Sequence, residues 1–229
     1  MAPEPRLLGP GEAVDVPSRW RIKQHRVLGE GAVSDYVDDI VATPAGEQMH
    51  RQYLLHPGAV AVIALDDADR VVVVRQYRHP VGFQLIEPPA GLLDSDGESW
   101  LGAAQRELAE EAMLAADDWR LLIDMFTSPG CNSESIRFFL ARSLREVPRP
   151  EGFVVEHEEL DMEICLVPLA DLVDGIYAGQ VQSPTIVAGV LALEAARLAG
   201  RLDDLRPADS PWPAREVRQG LLGAIAELG

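Results

Sequence analysis

The sequence is poor in cysteine, short of basic charge and without a long apolar run, and each shortage excludes a class of protein. The two cysteines, Cys131 and Cys165, have no metal-type spacing, which predicts two ordinary buried thiols and no secreted disulfide framework. No apolar stretch approaches the roughly 20 residues that span a bilayer, and the N-terminus lacks the basic start and apolar run of a signal peptide. We therefore expect a cytoplasmic protein.

Acidic residues outnumber basic ones, 37 to 20, and give a formal net charge of -17. This charge disfavours nucleic acid and membranes as partners, because binding to either depends on Lys and Arg side chains that neutralise phosphates. It does not exclude a small anionic substrate, since metal ions or a few arginines can reverse the field inside one pocket. The partner class that remains is a small molecule.

Hydrophobic periodicity predicts an alternation of strands and helices. After an irregular start, residues 20–55 are typical of a small antiparallel meander. Further strands are predicted, in chain order, at residues 59–65, 71–74, 83–87, 119–125, 136–142 and 162–167. Helices are predicted at about residues 99–113, 185–198 and 216–228, the last after a linker at 207–214. Strands interrupted by helices indicate an α/β fold of mixed α+β character.

The predicted helix at residues 99–113 carries an acidic face. Its apolar stripe, at three- and four-residue spacing, consists of Leu101, Ala104, Leu108 and Ala112. Glu107, Glu110 and Glu111 share another arc, and residues four apart lie about 5–6 Å apart at Cβ. Three like charges on one face are unfavourable without a cation, and Mg2+ prefers a few carboxylates completed by substrate phosphates. A solvated acidic face is the alternative, but Gly91, Glu98 and Arg106 add further fixed positions.

The segment around this helix resembles the box of the Nudix hydrolase family. That box reads Gly, five residues, Glu, seven residues, Arg-Glu, a large aliphatic residue, one residue, Glu-Glu, one residue, Gly and an aliphatic residue. Here Glu98 is followed after seven residues by the run 106–111, Arg-Glu-Leu-Ala-Glu-Glu. There are two departures: six residues separate Gly91 from Glu98, and Ala112 is assigned to the position where Gly is usual.

The resemblance implies an α/β/α sandwich around a mixed sheet, preceded here by the small antiparallel β segment. We accordingly divide the chain into a β segment that contributes to dimerisation (1–56), a Nudix catalytic domain (57–205) and a linker with a C-terminal helix (206–229).

The resemblance also implies two or three Mg2+ ions per site, with Mn2+ as the alternative metal. The implied ligands are Glu107, Glu110, Glu111 and the backbone carbonyl of Ala90. Arg106 and Glu98 are implied to orient those ligands, because coordinating carboxylates need hydrogen-bonding partners of their own.

Further matches resemble the ADP-ribose pyrophosphatase subgroup. They are the run 75–79 (Arg-Gln-Tyr-Arg-His), the turn 87–91 (Glu-Pro-Pro-Ala-Gly), and Pro129 followed by Gly130. The loop after Gly130 lacks the aromatic residue and acid that this subgroup has there.

The candidate substrate-binding residues are Arg78, Glu87, Pro129 and Gly130, which lie in these matches, and Arg51, which is chosen for its side chain. Arg51 and Arg78 are forked cations suited to phosphate oxygens, with a surface ion pair as the alternative for each. Glu87 can accept hydrogen bonds from ribose or adenine, or is an ordinary acid at a strand end.

Two aromatic side chains, Tyr77 and Trp20, are candidates to stack on adenine, although core packing is the alternative. The base that activates water is placed by the resemblance on the acidic stretch 156–162, which is similar to the subgroup's "HEEADM" stretch. Glu159 is the first choice and Glu158 the second, since a carboxylate near several cations stays ionised.

These features imply Mg2+-dependent hydrolysis of ADP-ribose to AMP and ribose 5-phosphate by a homodimer whose N-terminal β segments are exchanged. Another nucleoside diphosphate sugar or an oxidised nucleotide is the alternative substrate. A Nudix-like sensor that binds without cutting is the alternative from another class. The complete set of box glutamates weighs against the sensor.

Overall fold

The computed structural model describes residues 5–93, 97–150 and 162–228. Its strands are β1 (Arg21–Gly29), β2 (Asp35–Ala42), β3 (Gln48–Leu55), β4 (Ala59–Leu65), β5 (Arg70–Arg78), β6 (Phe83–Glu87), β7 (Ala90–Leu92), β8 (Leu114–Phe126), β9 (Ser135–Glu146), β10 (Glu163–Pro168) and β11 (Arg206–Pro207). Its helices are α1 (Trp100–Ala112), α2 (Leu169–Tyr177), α3 (Pro184–Leu198) and α4 (Pro213–Ala226).

The strands form two sheets. The first is antiparallel with the order β1-β2-β3, and the second follows the order β10-β5-β4-β9-β8-β11, with β6 beside β5 and β7 beside β4. Only the pair β4 and β9 is parallel among the paired strands described, with Ala59 opposite Ile136. An isolated bridge joins Leu54 of β3 to Asn132, in the connection between β8 and β9. The predicted mixed sheet and N-terminal antiparallel segment are confirmed.

Strand β4 is buried on both faces, which explains its uninterrupted apolar sequence. Val60, Val62 and Ala64 pack with the apolar face of α1. Ala61 and Ile63 point to the other face, where they pack with α2 and α3. Helices therefore cover both faces of the large sheet, with α1 on one face and α2 and α3 on the other.

Several elements differ from the sequence prediction. Strand β8 begins at Leu114 rather than at residue 119, because it pairs with β9 from that point onward. The short strand β7 and helix α2 were not predicted; β7 exists because Ala90 pairs with Ala61 across the sheet. The predicted linker at 207–214 is also wrong in part. It contains part of β11, which pairs with β8, a fully buried Trp212, and the start of α4 at Pro213.

Both cysteines are free, but only one is partly buried: Cys165 is half-buried and Cys131 is exposed. The prediction of two buried thiols is thus wrong for Cys131. Within the described residues, no helix is both long and apolar enough to cross a membrane.

Candidate active site

Helix α1 carries the acidic face, and its two ends are fixed by local interactions. The Ser99 hydroxyl accepts a hydrogen bond from the Gly102 backbone N–H at 2.9 Å, as an N-cap does. The helix ends at Met113, which has left-handed backbone angles (φ 55°) and donates its N–H to Ala109 and Leu108. The assignment of Ala112 to the usual glycine position is therefore wrong. The left-handed residue that favours glycine is Met113, one residue further on.

Glu107 lies directly over Gly91. A Cβ atom added to Gly91 would come within 2.0 Å of the Glu107 carboxyl carbon, so any other residue there would displace this carboxylate. Gly91 does not have a positive φ, and its lack of a side chain, not its backbone freedom, is what the site requires. Burial raises the pKa of Glu107 to about 7, against the opposing effect of Arg106, and the charge of Glu110 adds to the rise.

Arg106 connects the acidic side chains. Its Nε and Nη2 each donate to Glu98 at 3.1 Å, one to either carboxylate oxygen. Its Nη1 donates to Glu107 at 2.5 Å and to Glu110 at 3.0 Å. The Glu98 carboxylate holds the pKa of Arg106 above its usual value. One guanidinium thus contacts all three carboxylates, an arrangement compatible with the orienting role that the resemblance implies for it.

The third helix glutamate, Glu111, points to Ala90 at the start of β7. Its Oε2 accepts a hydrogen bond from the Ala90 N–H at 3.0 Å, and only 8% of its surface is exposed. Arg149 donates from Nε to the Glu110 backbone carbonyl at 2.9 Å. Ala90, Gly91 and the face of α1 therefore form one continuous site.

The donor set fits a hard divalent cation, although no group of three acidic, histidine or cysteine side chains in the described part of the chain is already arranged around a single point. The reason is visible in the contacts, because Arg106 Nη1 lies between Glu107 and Glu110. Three glutamates on one helix face, two of them buried, offer the oxygen ligands that Mg2+ prefers. The raised pKa of Glu107 indicates that Arg106 alone does not compensate for this burial.

A second network joins Arg78, Glu87 and Ser183. Arg78 donates to Glu87 Oε2 from Nε at 2.9 Å and from Nη2 at 2.6 Å. The Ser183 hydroxyl donates to the other oxygen, Oε1, at 2.9 Å. Glu87 is buried, whereas Arg78 is about half-exposed. Sequence reasoning missed Ser183, and a Ser-Pro pair just before an apolar helix was the available signal.

The remaining candidates lie further along the surface. Arg51 is exposed on β3 and donates to the His50 carbonyl at 2.9 Å. The turn with Pro129 and Gly130 reaches β3 through the Leu54 N–H, which donates to the Cys131 carbonyl at 2.9 Å.

Trp20 and Tyr77 are each 42% exposed, so neither belongs to the core. Glu158 and Glu159 lie outside the described residues. The structure therefore brings together the residues around α1, brings Arg78 to Glu87, and leaves Arg51 in the separate small sheet.

Comparison with known proteins agrees with this geometry. The NUDIX domain model matches residues 55–185. The ADP-ribose pyrophosphatase of Mycobacterium tuberculosis is 41% identical over 185 residues, which cover 81% of this chain and 87% of that protein. The ADP-ribose pyrophosphatase of Bacillus subtilis is 32% identical over 167 residues, 70% of this chain and 89% of that protein.

A crystal structure of an ADP compounds hydrolase superposes with a TM-score of 0.67 at 21% identity, covering 82% of this chain and 100% of that chain. At this identity the likeness supports the fold alone. The domain match over more than half of the sequence, together with relatives that align along most of their length, shows that this chain belongs to the Nudix hydrolase family.

Proposed function

We propose that this chain hydrolyses the diphosphate bond of ADP-ribose and releases AMP and ribose 5-phosphate. The family and the relatives support cleavage of a nucleotide-sugar diphosphate. We choose ADP-ribose as the specific substrate, because two of the relatives are ADP-ribose pyrophosphatases. The observation that carries the proposal is the site on α1, where buried Glu107 and Glu111 contact the start of β7 at Ala90 and Gly91, and Arg106 donates to Glu107.

Glu107, Glu110, Glu111 and the Ala90 carbonyl would hold two or three Mg2+ ions, with Mn2+ as the alternative. The ions, when bound, neutralise the diphosphate and the charge that develops on the leaving oxygen. Arg106, held in turn by Glu98, keeps the Glu107 and Glu110 carboxylates on one side of the helix.

The substrate would be held by side chains outside the helix. Arg78 presents a guanidinium that Glu87 fixes from one edge, and a fixed fork is suited to phosphate oxygens. We assign further substrate contacts to Arg51, Pro129 and Gly130. Glu159, with Glu158 second, would accept the proton from the attacking water.

We also propose that the active unit is a homodimer formed through the β1–β3 sheet. Apolar side chains remain largely exposed on this sheet, among them Val27 (49%), Leu28 (44%) and Tyr36 (43%). Burial of such side chains in a partner would remove apolar surface from water. A monomeric mass by light scattering at micromolar concentration would exclude this arrangement. The three-part domain division, the cytoplasmic location and the absence of nucleic-acid partners stay predictions from the sequence.

Direct product analysis tests the proposed reaction. Purified protein is incubated with ADP-ribose, ADP-glucose, GDP-mannose, NAD and 8-oxo-dGTP, in Mg2+ or in EDTA, and the products are identified by mass. We expect AMP and ribose 5-phosphate from ADP-ribose, faster than any other cleavage and abolished by EDTA.

Two variants locate the activity. Glu107→Gln removes a proposed ligand, and Glu216→Gln makes the same change on the exposed first turn of α4. We expect turnover to be lost only in Glu107→Gln. Faster cleavage of another compound would leave the proposed metal site standing and would make that compound the preferred substrate in place of ADP-ribose. Tight binding without cleavage would favour the sensor.

A further inference from the structure

We propose that the segment after the family domain positions the start of helix α1, through a cluster formed by Trp212, Arg137 and Trp100. The domain match ends at residue 185, so Trp212 lies outside it. The inference rests on the proposed function, because it makes Trp212 a positioning residue for the metal-binding side chains of α1.

Arg137 lies against both tryptophan rings, which also contact each other. It is fully buried on β9, and its guanidinium carbon is 4.9 Å from the ring centre of Trp100 and 4.7 Å from that of Trp212. The two indole rings are perpendicular, with centres 5.4 Å apart. Both rings therefore offer the cation the contact that stabilises a guanidinium near an aromatic face.

The same guanidinium fastens the C-terminal segment. It donates to the backbone carbonyls of Ser210 at 2.7 Å and Pro211 at 2.9 Å, the two residues before Trp212. It also donates to both carboxylate oxygens of Asp124, at 2.8 and 3.2 Å. A buried cation with this many partners has one orientation, and the two aromatic rings that pack against it are placed accordingly.

A short series of contacts connects this cluster to the proposed metal-binding face of α1. Trp100 is the first residue of α1 and follows the N-cap Ser99. Glu98, one residue earlier, fixes Arg106, and Arg106 in turn orients Glu107. A shift of Trp100 therefore moves the helix cap and the Glu98 carboxylate together.

The contacts of Trp212 indicate that its ring face is the part that matters. Its indole N–H is buried and, within the described residues, has no hydrogen-bond partner. Replacement by phenylalanine consequently removes an unsatisfied donor and keeps an aromatic face over Arg137. Replacement by leucine keeps apolar bulk and removes that face.

Direct Mn2+ binding, measured by electron paramagnetic resonance on the full chain, separates these variants. We expect Trp212→Leu to weaken Mn2+ binding about tenfold, the lower end of the loss caused by changing residues that orient metal ligands. Trp212→Phe should stay within about twofold of the wild type, since it preserves the cation–aromatic contact. Leu193→Ala is the control: it makes a cavity on the opposite face of the sheet and should leave Mn2+ binding unchanged.

Equal Mn2+ binding by Trp212→Leu and Trp212→Phe, at whatever level, would overturn the inference. Trp212→Met replaces the leucine variant if that variant does not fold. If the wild type itself binds no Mn2+, the metal site of the proposed function fails. The positioning role is then decided by amide hydrogen exchange at residues 101–104. Faster exchange there in Trp212→Leu than in Trp212→Phe supports it, and equal exchange refutes it.

Discussion

Gly91→Ala is the sharpest test of the site on α1. The added methyl group would lie 2.0 Å from the Glu107 carboxyl carbon, whereas ordinary contact begins at 3.4 Å. The carboxylate must therefore retreat by about 1.4 Å, the difference between these distances. Mg2+ binds oxygen ligands at roughly 2.0–2.1 Å in a nearly octahedral shell and tolerates little misplacement. Since a 1 Å error in a catalytic site costs about 100-fold, we expect kcat to fall by at least about that factor.

The fold should survive this substitution. The atoms in the way belong to the far end of a flexible side chain, and the Gly91 backbone is not left-handed. Replacement of Gly by Ala at a compatible position stabilises a protein by about 0.4–1 kcal/mol through the unfolded state. Loss of the Glu107–Arg106 hydrogen bond offsets this by about 1 kcal/mol. The free energy of unfolding should consequently change by less than about 1 kcal/mol.

Urea unfolding and Mg2+-dependent turnover of the same preparation provide the assay. Gly223→Ala is the matched control, because a Cβ atom at that position on α4 meets no atom within 4 Å. A Gly91→Ala protein with unchanged stability and wild-type turnover would refute the argument that Glu107 needs the space above Gly91. A protein that is inactive because it is unfolded would refute the packing argument instead.

Three further predictions concern stability. In EDTA, the pKa of Glu107 is raised to about 7. The folding stability linked to its protonation is therefore complete below about pH 4.5 and is lost as the pH rises through 7. Relative to Glu107→Gln, the wild type should lose about 3 kcal/mol of unfolding free energy over that range in urea titrations, and parallel profiles would contradict the shift. Gly189→Ala should cost about 1–2 kcal/mol, because its Cβ would lie 2.4 Å from Ile63 Cδ1. Ile63→Ala removes both that atom and Cγ1, which would lie at 2.8 Å, so Gly189→Ala should cost less in that background, and zero coupling in the double-mutant cycle would disprove the clash. Met113→Gly should stabilise by about 1 kcal/mol, since it relieves a left-handed residue, and a lower melting temperature would count against that reading.

The sequence predicted those parts of the fold that depend on local patterns. Helix α1 was placed to within one residue at each end, because Ser99 caps it and an apolar stripe runs along it. Strand β4 was placed correctly because its apolar run is what a strand buried on both faces requires. Two of the strands that were missed depend on distant partners. Strand β7 exists through its pairing with β4, and β11 through its pairing with β8.

The same distinction holds within the site. Spacing along one helix was enough to group Glu107, Glu110 and Glu111, since helical geometry fixes their relative directions. It could not show that Ser183, 96 positions further along the chain, would donate a hydrogen bond to Glu87. The contacts of Arg137 were likewise unpredictable, because nothing near it in the sequence indicates that two tryptophans pack against it.

The way α1 is attached has a consequence for how turnover must proceed. Met113 is followed immediately by Leu114, the first residue of β8, and its carbonyl accepts a hydrogen bond from the Val147 N–H at 3.0 Å. At the other end, Trp100 packs against the guanidinium of Arg137, a residue of β9 in the large sheet. Because these contacts attach both ends of the described helix to the sheet, we expect the helix and the sheet to move together. Under the proposed function, we therefore expect rearrangement during substrate entry and product release to occur away from α1 and from the carboxylates proposed to hold the metal.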